Sequence, residues 1–177
     1  MSEFQELVDA HYQPLYRFAY SLAKEPDKAA DLVQQTFCIW AQKGDQLKDR
    51  SKAKTWLFTT LYREFLAGAR RSNKFPETDI EDVAYKLEAT EVDAGRNLDA
   101  KRAVKVLNSL DETFRAPLTL FFLQQHSYKE IAKVLDIPIG TVMSRISRGK
   151  DLLKKKMAEK LKQSSKVVTM ERSVKNG

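Results

Sequence analysis

The segment from Ser127 to Leu153 constrains the fold more than any other part of the chain. Ser127 and Glu130 stand in the S-x-x-E pattern of a capping box, which marks the start of a helix. Pro138 biases the residue before it away from helical geometry, so this first helix is predicted to end near Leu135. Its apolar residues recur at helical spacing and share one face: Tyr128, Ile131, Ala132 and Leu135.

A second helix is predicted to open between Pro138 and Thr141. Its inward stripe consists of Val142, Ile146, Gly149 and Leu153. Two short helices with a tight connection and matched apolar faces predict a helix-turn-helix. Hydroxyl and basic side chains near the start of such a helix can reach base edges in the major groove of duplex DNA. The residues predicted to contact DNA are Thr141, Met143, Ser144, Arg145, Ser147, Arg148 and Lys150. The competing interpretation is an ordinary surface helix with solvated charges.

The distribution of charge supports binding to phosphates. Residues 1–72 carry 11 Lys and Arg against 9 Asp and Glu, a net charge of +2. Residues 73–100 carry 3 against 8, a net charge of −5, and residues 101–177 carry 17 against 7, a net charge of +10. A basic final third is the expected footprint of a nucleic-acid-binding domain.

Helical periodicity extends over most of the remaining chain, and we find no strand alternation of useful length. The predicted fold is all-α: two small helical domains joined by an acidic linker, the second domain carrying the helix-turn-helix. The predicted bounds are a first domain at 1–72, a linker at 73–96 with a short helix near Ile80–Leu87, a second domain at 97–162 and a disordered tail at 163–177. Pro14 is expected to kink or split the first helix.

Several classes of protein and site are excluded. No run approaches the roughly 20 apolar residues of a membrane helix, and the N-terminus lacks the pattern of a secretory signal. The single cysteine, Cys38, and the two histidines, His11 and His126, are too few and too scattered for a zinc site. Cys38 is expected to be a buried small residue. With no catalytic or cofactor motif, we predict a cytoplasmic protein that is not an enzyme and needs no cofactor or metal.

Four segments resemble bacterial sigma factors of the sigma-70 family, most closely the extracytoplasmic-function (ECF) group. "SYKEIAKVLDIPIGTVMSRISRGKDLL" resembles the helix-turn-helix that reads the promoter −35 element, and "LNSLDETFRAPLTLFFL" resembles the helices leading into it. "DKAADLVQQTFCIWAQ" resembles the segment that grips RNA polymerase, and "AKTWLFTTLYREFLAGARR" resembles the helix beside the −10 element. The resemblance covers residues 4–155 in the family's order, which makes it far more specific than a lone helix-turn-helix.

The resemblance implies a mechanism and a set of partners. The first domain would bind RNA polymerase core and capture the −10 element of promoter DNA, and the second would read the −35 element. The acidic linker would pass through the polymerase, in a basic channel built for nucleic acid. An anti-sigma factor is the further partner that the resemblance implies.

The resemblance also assigns roles to residues of the first domain. The polymerase-binding motif matches Asp31, Gln34, Gln35 and Phe37, although core packing is an equal alternative for Phe37. The loop Lys43–Arg50 corresponds to the loop that holds a flipped −10 base. Contacts to the −10 region are expected from Arg50, Lys52, Lys54, Arg63, Arg70 and Arg71. Trp56 also matches the family, and core packing is its expected role.

At four positions the chain departs from the family pattern. Arg63 and Ala67 stand where Asn and Asp are usual, which puts the local −10 contacts in doubt. Met143 stands where a basic or polar residue is common; it can pack on a thymine methyl but cannot make a bidentate guanine contact. Asp111 replaces a usual proline and is expected to cap a helix.

Two other functions are compatible with parts of the sequence. A stand-alone repressor or activator would bind duplex DNA as a dimer without polymerase. An adaptor would use its helical first domain chiefly to bind proteins. The match of both domains, in order, favours the sigma factor over each of these alternatives.

Overall fold

The computed structural model of the chain describes residues 2–72 and 94–175, leaving out the side chains of 72, 94–97, 171, 172, 174 and 175. The α-helices are α1 (Glu3–Ala23), α2 (Pro26–Lys43), α3 (Ala53–Ser72), α4 (Ala94–Asn108), α5 (Glu112–Leu118), α6 (Tyr128–Leu135) and α7 (Ile139–Lys175). Short 3-10 turns occupy Gly44–Gln46 and Arg50–Lys52, and a π-turn occupies Thr119–Leu123. The predicted all-α class is confirmed: every element in the described residues is helical.

The first half, α1–α3, is a three-helix unit built around large apolar side chains. Leu15 and Phe18 of α1 are fully buried, as are Leu57 and Phe58 of α3. Helix α1 is continuous through Pro14, so the expected split does not occur. A proline inside a helix costs about 3 kcal/mol, and the burial of the apolar residues that follow Pro14 offsets this cost.

The second half, α4–α7, contains the helix-turn-helix in the predicted place. Both bonds of the capping box form: the Glu130 backbone N–H donates to Ser127 Oγ at 3.1 Å, and the Ser127 N–H donates to Glu130 Oε1 at 3.3 Å. Helix α6 ends at Asp136, which caps it in the left-handed conformation at φ 54°. Asp111 caps α5, accepting the Thr113 N–H at 2.9 Å. The two hydrogen bonds with Thr113 lower the pKa of the Asp111 carboxyl.

Helix α7 extends beyond the helix-turn-helix to Lys175, so residues 163–175 are helical where the sequence predicted a disordered tail. No Gly or Pro occurs between 150 and 175, and residues of high helix propensity such as Lys, Leu and Met are frequent there. The hydroxyls of Ser165, Thr169 and Ser173 donate to the carbonyls four residues earlier at 2.8–3.1 Å. From Ala158 to Met170 every side chain is exposed.

The two halves pack directly against each other, which the sequence did not predict. Helix α3 lies on α6, and α1 contacts α5 and the π-turn. The buried apolar residues of both halves form one continuous cluster. The predicted linker helix at Ile80–Leu87 lies outside the described residues. Helix α4 begins at Ala94, three residues before the predicted start of the second domain.

Over the described stretches 2–72 and 94–175, no helix is both long enough and apolar enough to cross a membrane.

We expect Gly149→Ala to lower the free energy of unfolding by about 1–3 kcal/mol through overpacking. A Cβ at Gly149 would lie 2.7 Å from Cδ1 and 3.1 Å from Cγ of Leu118, which is fully buried and cannot move aside. Gly140→Ala on the same helix is the matched control, because its Cβ would meet nothing within 4 Å. Urea unfolding of both variants tests this, and equal stabilities would contradict the close approach of α7 to α5.

Candidate functional site

The outward side of the second helix of the motif, the first part of α7, is open to solvent. Met143 is 51% exposed, and Ser144, Ser147 and Arg148 are also exposed. Val142 and Ile146 on the opposite side are buried, as the inward stripe predicted. The exposed side therefore offers two hydroxyls, one guanidinium and one thioether, with no covering segment among the described residues.

Three of the predicted DNA contacts are only partly exposed: Thr141, Arg145 and Lys150. Lys150 Nζ lies 5.5 Å and 5.4 Å from the ring centres of Phe121 and Phe122, close enough for a cation–π interaction. Arg145 lines a cleft with Tyr62 of the first half and Glu112 of the second. Burial and the Glu112 charge raise the pKa of Tyr62, and the Arg145 charge opposes them. Arg145 thus faces the other half of the molecule.

A second basic surface lies on α3. Arg63, Arg70 and Arg71 are exposed. Arg63 and Arg70 are seven residues apart, about two helical turns, and therefore lie on one side of the helix. The buried residues Leu57 and Leu61 occupy the opposite side. This surface faces solvent and can approach a phosphate backbone.

The remaining three predicted −10 contacts have partners within the protein. Arg50 donates to the Gly44 carbonyl at 3.2 Å and pairs with Glu3 at 3.3 Å, beside the Trp40 ring. Lys52 is 63% exposed and lies 4.0 Å from Asp49. Lys54 Nζ donates to the Gln124 carbonyl of the second half at 2.7 Å. Arg50 and Lys54 are thus engaged by the protein itself, so either would have to leave these partners before binding phosphate.

Helix α2 presents a polar face away from the core. Asp31, Gln34 and Gln35 are exposed, whereas Phe37 is only 7% exposed and packs edge-on against Phe4, with ring centres 6.4 Å apart. In the free chain Phe37 is therefore packed in the core, and its predicted role in binding polymerase stays a prediction.

The expectation that Cys38 is buried was wrong: the thiol is exposed. Cys38 follows Asp31 by seven residues and Gln34 by four, a spacing that places it on the same helix face. Sequence reasoning missed this because Cys38 stands next to the apolar residues Phe37 and Ile39.

Three buried polar side chains were not singled out by the sequence. Arg115 donates to the Leu110 carbonyl at 2.8 Å, and Gln124 and His126 are 5% and 2% exposed. Gln124 and His126 follow no apolar period, and both contact α3 of the other half, which local sequence patterns do not predict. In the part of the chain that the structure describes, no three His, Cys, Asp or Glu side chains converge in a way that would hold a metal ion.

Comparisons with known proteins match both halves of the chain. The family model "Sigma-70 region 2" matches residues 7–75, and "Sigma-70, region 4" matches residues 101–153. The ECF RNA polymerase sigma factor SigE of Mycolicibacterium smegmatis is 30% identical over 90% of this chain, which spans 63% of that relative. The ECF RNA polymerase sigma factor SigM of Bacillus subtilis is 26% identical over 84% of this chain and 91% of its own length.

A solved structure agrees in fold and sequence. The sigma factor RpoE from Bartonella quintana, determined in complex with the anti-sigma factor NepR, matches with a TM-score of 0.72 and 31% identity. The match covers 88% of this chain and 96% of that one. With two matched sigma-70 regions in order and a relative above 30% identity over nearly its whole length, the chain belongs to the extracytoplasmic-function group of the sigma-70 family.

Proposed function

We propose that α1–α3 binds RNA polymerase core and the −10 element, and that α6 and the first part of α7 read the −35 element, in the promoter-specific initiation that this sigma factor directs. The observation that carries the proposal is the pair of solvent-facing surfaces on separate halves. One contains Ser144 and Arg148, and the other contains Arg63 and Arg70. Each has groups suited to DNA, and neither is an enclosed catalytic pocket.

The two surfaces would contact different parts of the promoter. At the −35 element, Arg148 can donate to guanine and Ser144 to any base, whereas Met143 can pack on a thymine methyl. At the −10 element, Arg63, Arg70 and Arg71 can neutralise phosphates, which raises affinity without reading sequence.

Binding both elements at once requires the two halves to separate. The elements are about 25 base pairs apart, as their names indicate, which at 3.4 Å per base pair is roughly 85 Å. A helical unit of about 70 residues has a radius of gyration of only roughly 11 Å. Halves joined by the Lys54–Gln124 hydrogen bond cannot span that distance. We propose that polymerase core holds them apart.

The protein performs no catalysis of its own in this proposal, since polymerase forms the phosphodiester bonds. Sigma factors are generally initiation factors and not enzymes. The proposal places the chain in the cytoplasm, where bacterial polymerase and promoters are found. Because RpoE of Bartonella quintana forms a complex with an anti-sigma factor, we also propose an anti-sigma factor as a partner of this chain.

Transcription with purified core polymerase on a library of genomic promoter fragments tests the function directly. We expect defined transcripts that require both the protein and core polymerase. If the protein alone gives footprints on palindromic DNA while core yields no defined transcript, the chain is a stand-alone regulator instead.

We expect Arg148→Ala and Ser144→Ala each to weaken promoter binding by about 1–3 kcal/mol, the usual worth of one good base contact. Lys162→Ala removes an exposed charge from the same helix beyond the motif, and we expect it to retain full transcription. The measurement is the affinity of the reconstituted holoenzyme for promoter fragments with altered −35 positions. Equal losses in Arg148→Ala and Lys162→Ala, with no loss in Ser144→Ala, would indicate a general charge effect in place of base recognition.

The rate at which the Cys38 thiol is alkylated can report whether this face of α2 binds polymerase. If the face that contains Asp31 and Gln34 binds core, excess core should protect the exposed Cys38 thiol from maleimide. The Gln34→Ala variant should need more core for the same protection, and Gln13→Ala, an exposed glutamine of α1, should behave as wild type. Alkylation of Cys38 at an unchanged rate in saturating core would exclude this face.

A further inference from the structure

The contact between the halves buries a histidine that has no hydrogen-bond partner for its ring. His126 is 2% exposed, and neither Nδ1 nor Nε2 bonds to any group in the described residues. Its ring packs edge-on against Phe58 of α3, with ring centres 4.6 Å apart. Phe58 belongs to the first half and His126 to the second, so separation of the halves would take Phe58 away from the His126 ring.

Two interdomain hydrogen bonds surround the histidine. Lys54 Nζ donates to the Gln124 carbonyl at 2.7 Å, and Thr55 Oγ1 donates to Glu130 Oε2 at 3.3 Å. Lys54 and Thr55 lie at the start of α3, one turn before Phe58. Gln124 and Glu130 flank His126 in sequence. The histidine therefore lies at the centre of the contact between α3 and the start of α6.

The charged groups around His126 disfavour its protonated form. The pKa of His126 is lowered to about 4: burial is the main cause and the Lys54 ammonium of α3 adds to it, whereas the Glu130 carboxylate of α6 and the backbone of Leu120 oppose both. The His11 side chain of α1 also feels the Lys54 charge, and burial and that charge lower the pKa of His11 too. Burial acts to raise the pKa of Glu130, but hydrogen bonds with Ser127 and Thr55, together with the His126 charge, outweigh it and lower that pKa, so the carboxylate is charged at neutral pH.

We propose that His126 makes the contact between the two halves sensitive to protons: the closed arrangement holds this imidazole neutral, and acidification shifts the molecules towards an open arrangement in which the halves are apart. An imidazolium between Phe58 and Lys54 would be a buried charge beside a like charge, and the Glu130 carboxylate and the Leu120 backbone offset its burial only in part. Opening exposes the ring to water, where it can bind its proton.

Proton linkage gives the direction in which pH shifts the equilibrium between closed and open molecules, and the pH range of that shift. In the open state the imidazole titrates near its ordinary value of 6.5, and in the closed state near about 4. The closed form is therefore fully favoured above pH 6.5 and loses stability as the pH falls through that value. Between pH 7.5 and pH 5.5 the ratio of closed to open molecules should fall about tenfold.

Energy transfer between dyes on the two halves measures this ratio in the full chain without polymerase or DNA. Donor and acceptor occupy the native Cys38 and an introduced Lys162→Cys, both exposed positions. The Thr55→Val background, which lacks one interdomain hydrogen bond, brings the equilibrium nearer to balance, so that a tenfold shift is visible. In this background, with His126 present, we expect the transfer efficiency to fall between pH 7.5 and pH 5.5 while the helical circular dichroism signal stays unchanged.

Two substitutions at His126, with one at His11 as the control, identify the titrating group. His126→Phe keeps an aromatic ring against Phe58 but cannot bind a proton, and we expect it to remain closed over the whole pH range; His126→Gln provides a second non-titrating side chain. His11→Gln removes the other histidine and should leave the pH response intact. A response that survives in both His126 variants, or that disappears in His11→Gln, overturns the proposal.

A flat profile in the Thr55→Val background with His126 present, or a loss of helical signal in the same pH range, also overturns it. Because no promoter is present in the measurement, either result leaves the proposed promoter recognition untouched.

Discussion

The packing of α3 against α6 is the contact on which the arrangement of the whole molecule depends. It joins two helical units that each have their own buried residues, and it merges those residues into one cluster. Its polar part is small: Lys54 binds the Gln124 carbonyl, and Thr55 binds Glu130. Relative motion of two domains of one chain is the default expectation unless the interface between them is large and hydrophobic.

A contact that can open suits a protein that is proposed to reach two separated DNA elements. The α3 side that faces α6 contains Lys54 and Phe58, whereas Arg63 and Arg70 lie on a different side of the same helix. One helix thus supports both the closed arrangement and the proposed −10 surface. Arg145 has a similar position on α7, since it lines the interdomain cleft beside Tyr62 while Arg148 faces solvent.

Local chemistry explains what could be predicted from the sequence. Three correctly predicted features depend only on neighbours within about a turn or two of helix: the capping box at Ser127, the cap at Asp111 and the inward stripe around Ile146. What could not be predicted depends on contacts between distant segments. The ring of His126 packs against Phe58, 68 positions earlier in the chain. Pro14 remains within α1 because packing after it outweighs its local cost. The exposure of Cys38 depends on which face α2 turns to the core.

The central claim is that the two halves contact each other in the free protein and separate on a promoter. Spin labels at Gln13→Cys and Lys129→Cys, in a Cys38→Ser background, report the distance between the halves through their dipolar coupling. The account predicts one short distance for the free chain and an increase of tens of ångströms in the complex with polymerase and promoter DNA. An unchanged distance in a complex that produces transcripts would contradict it.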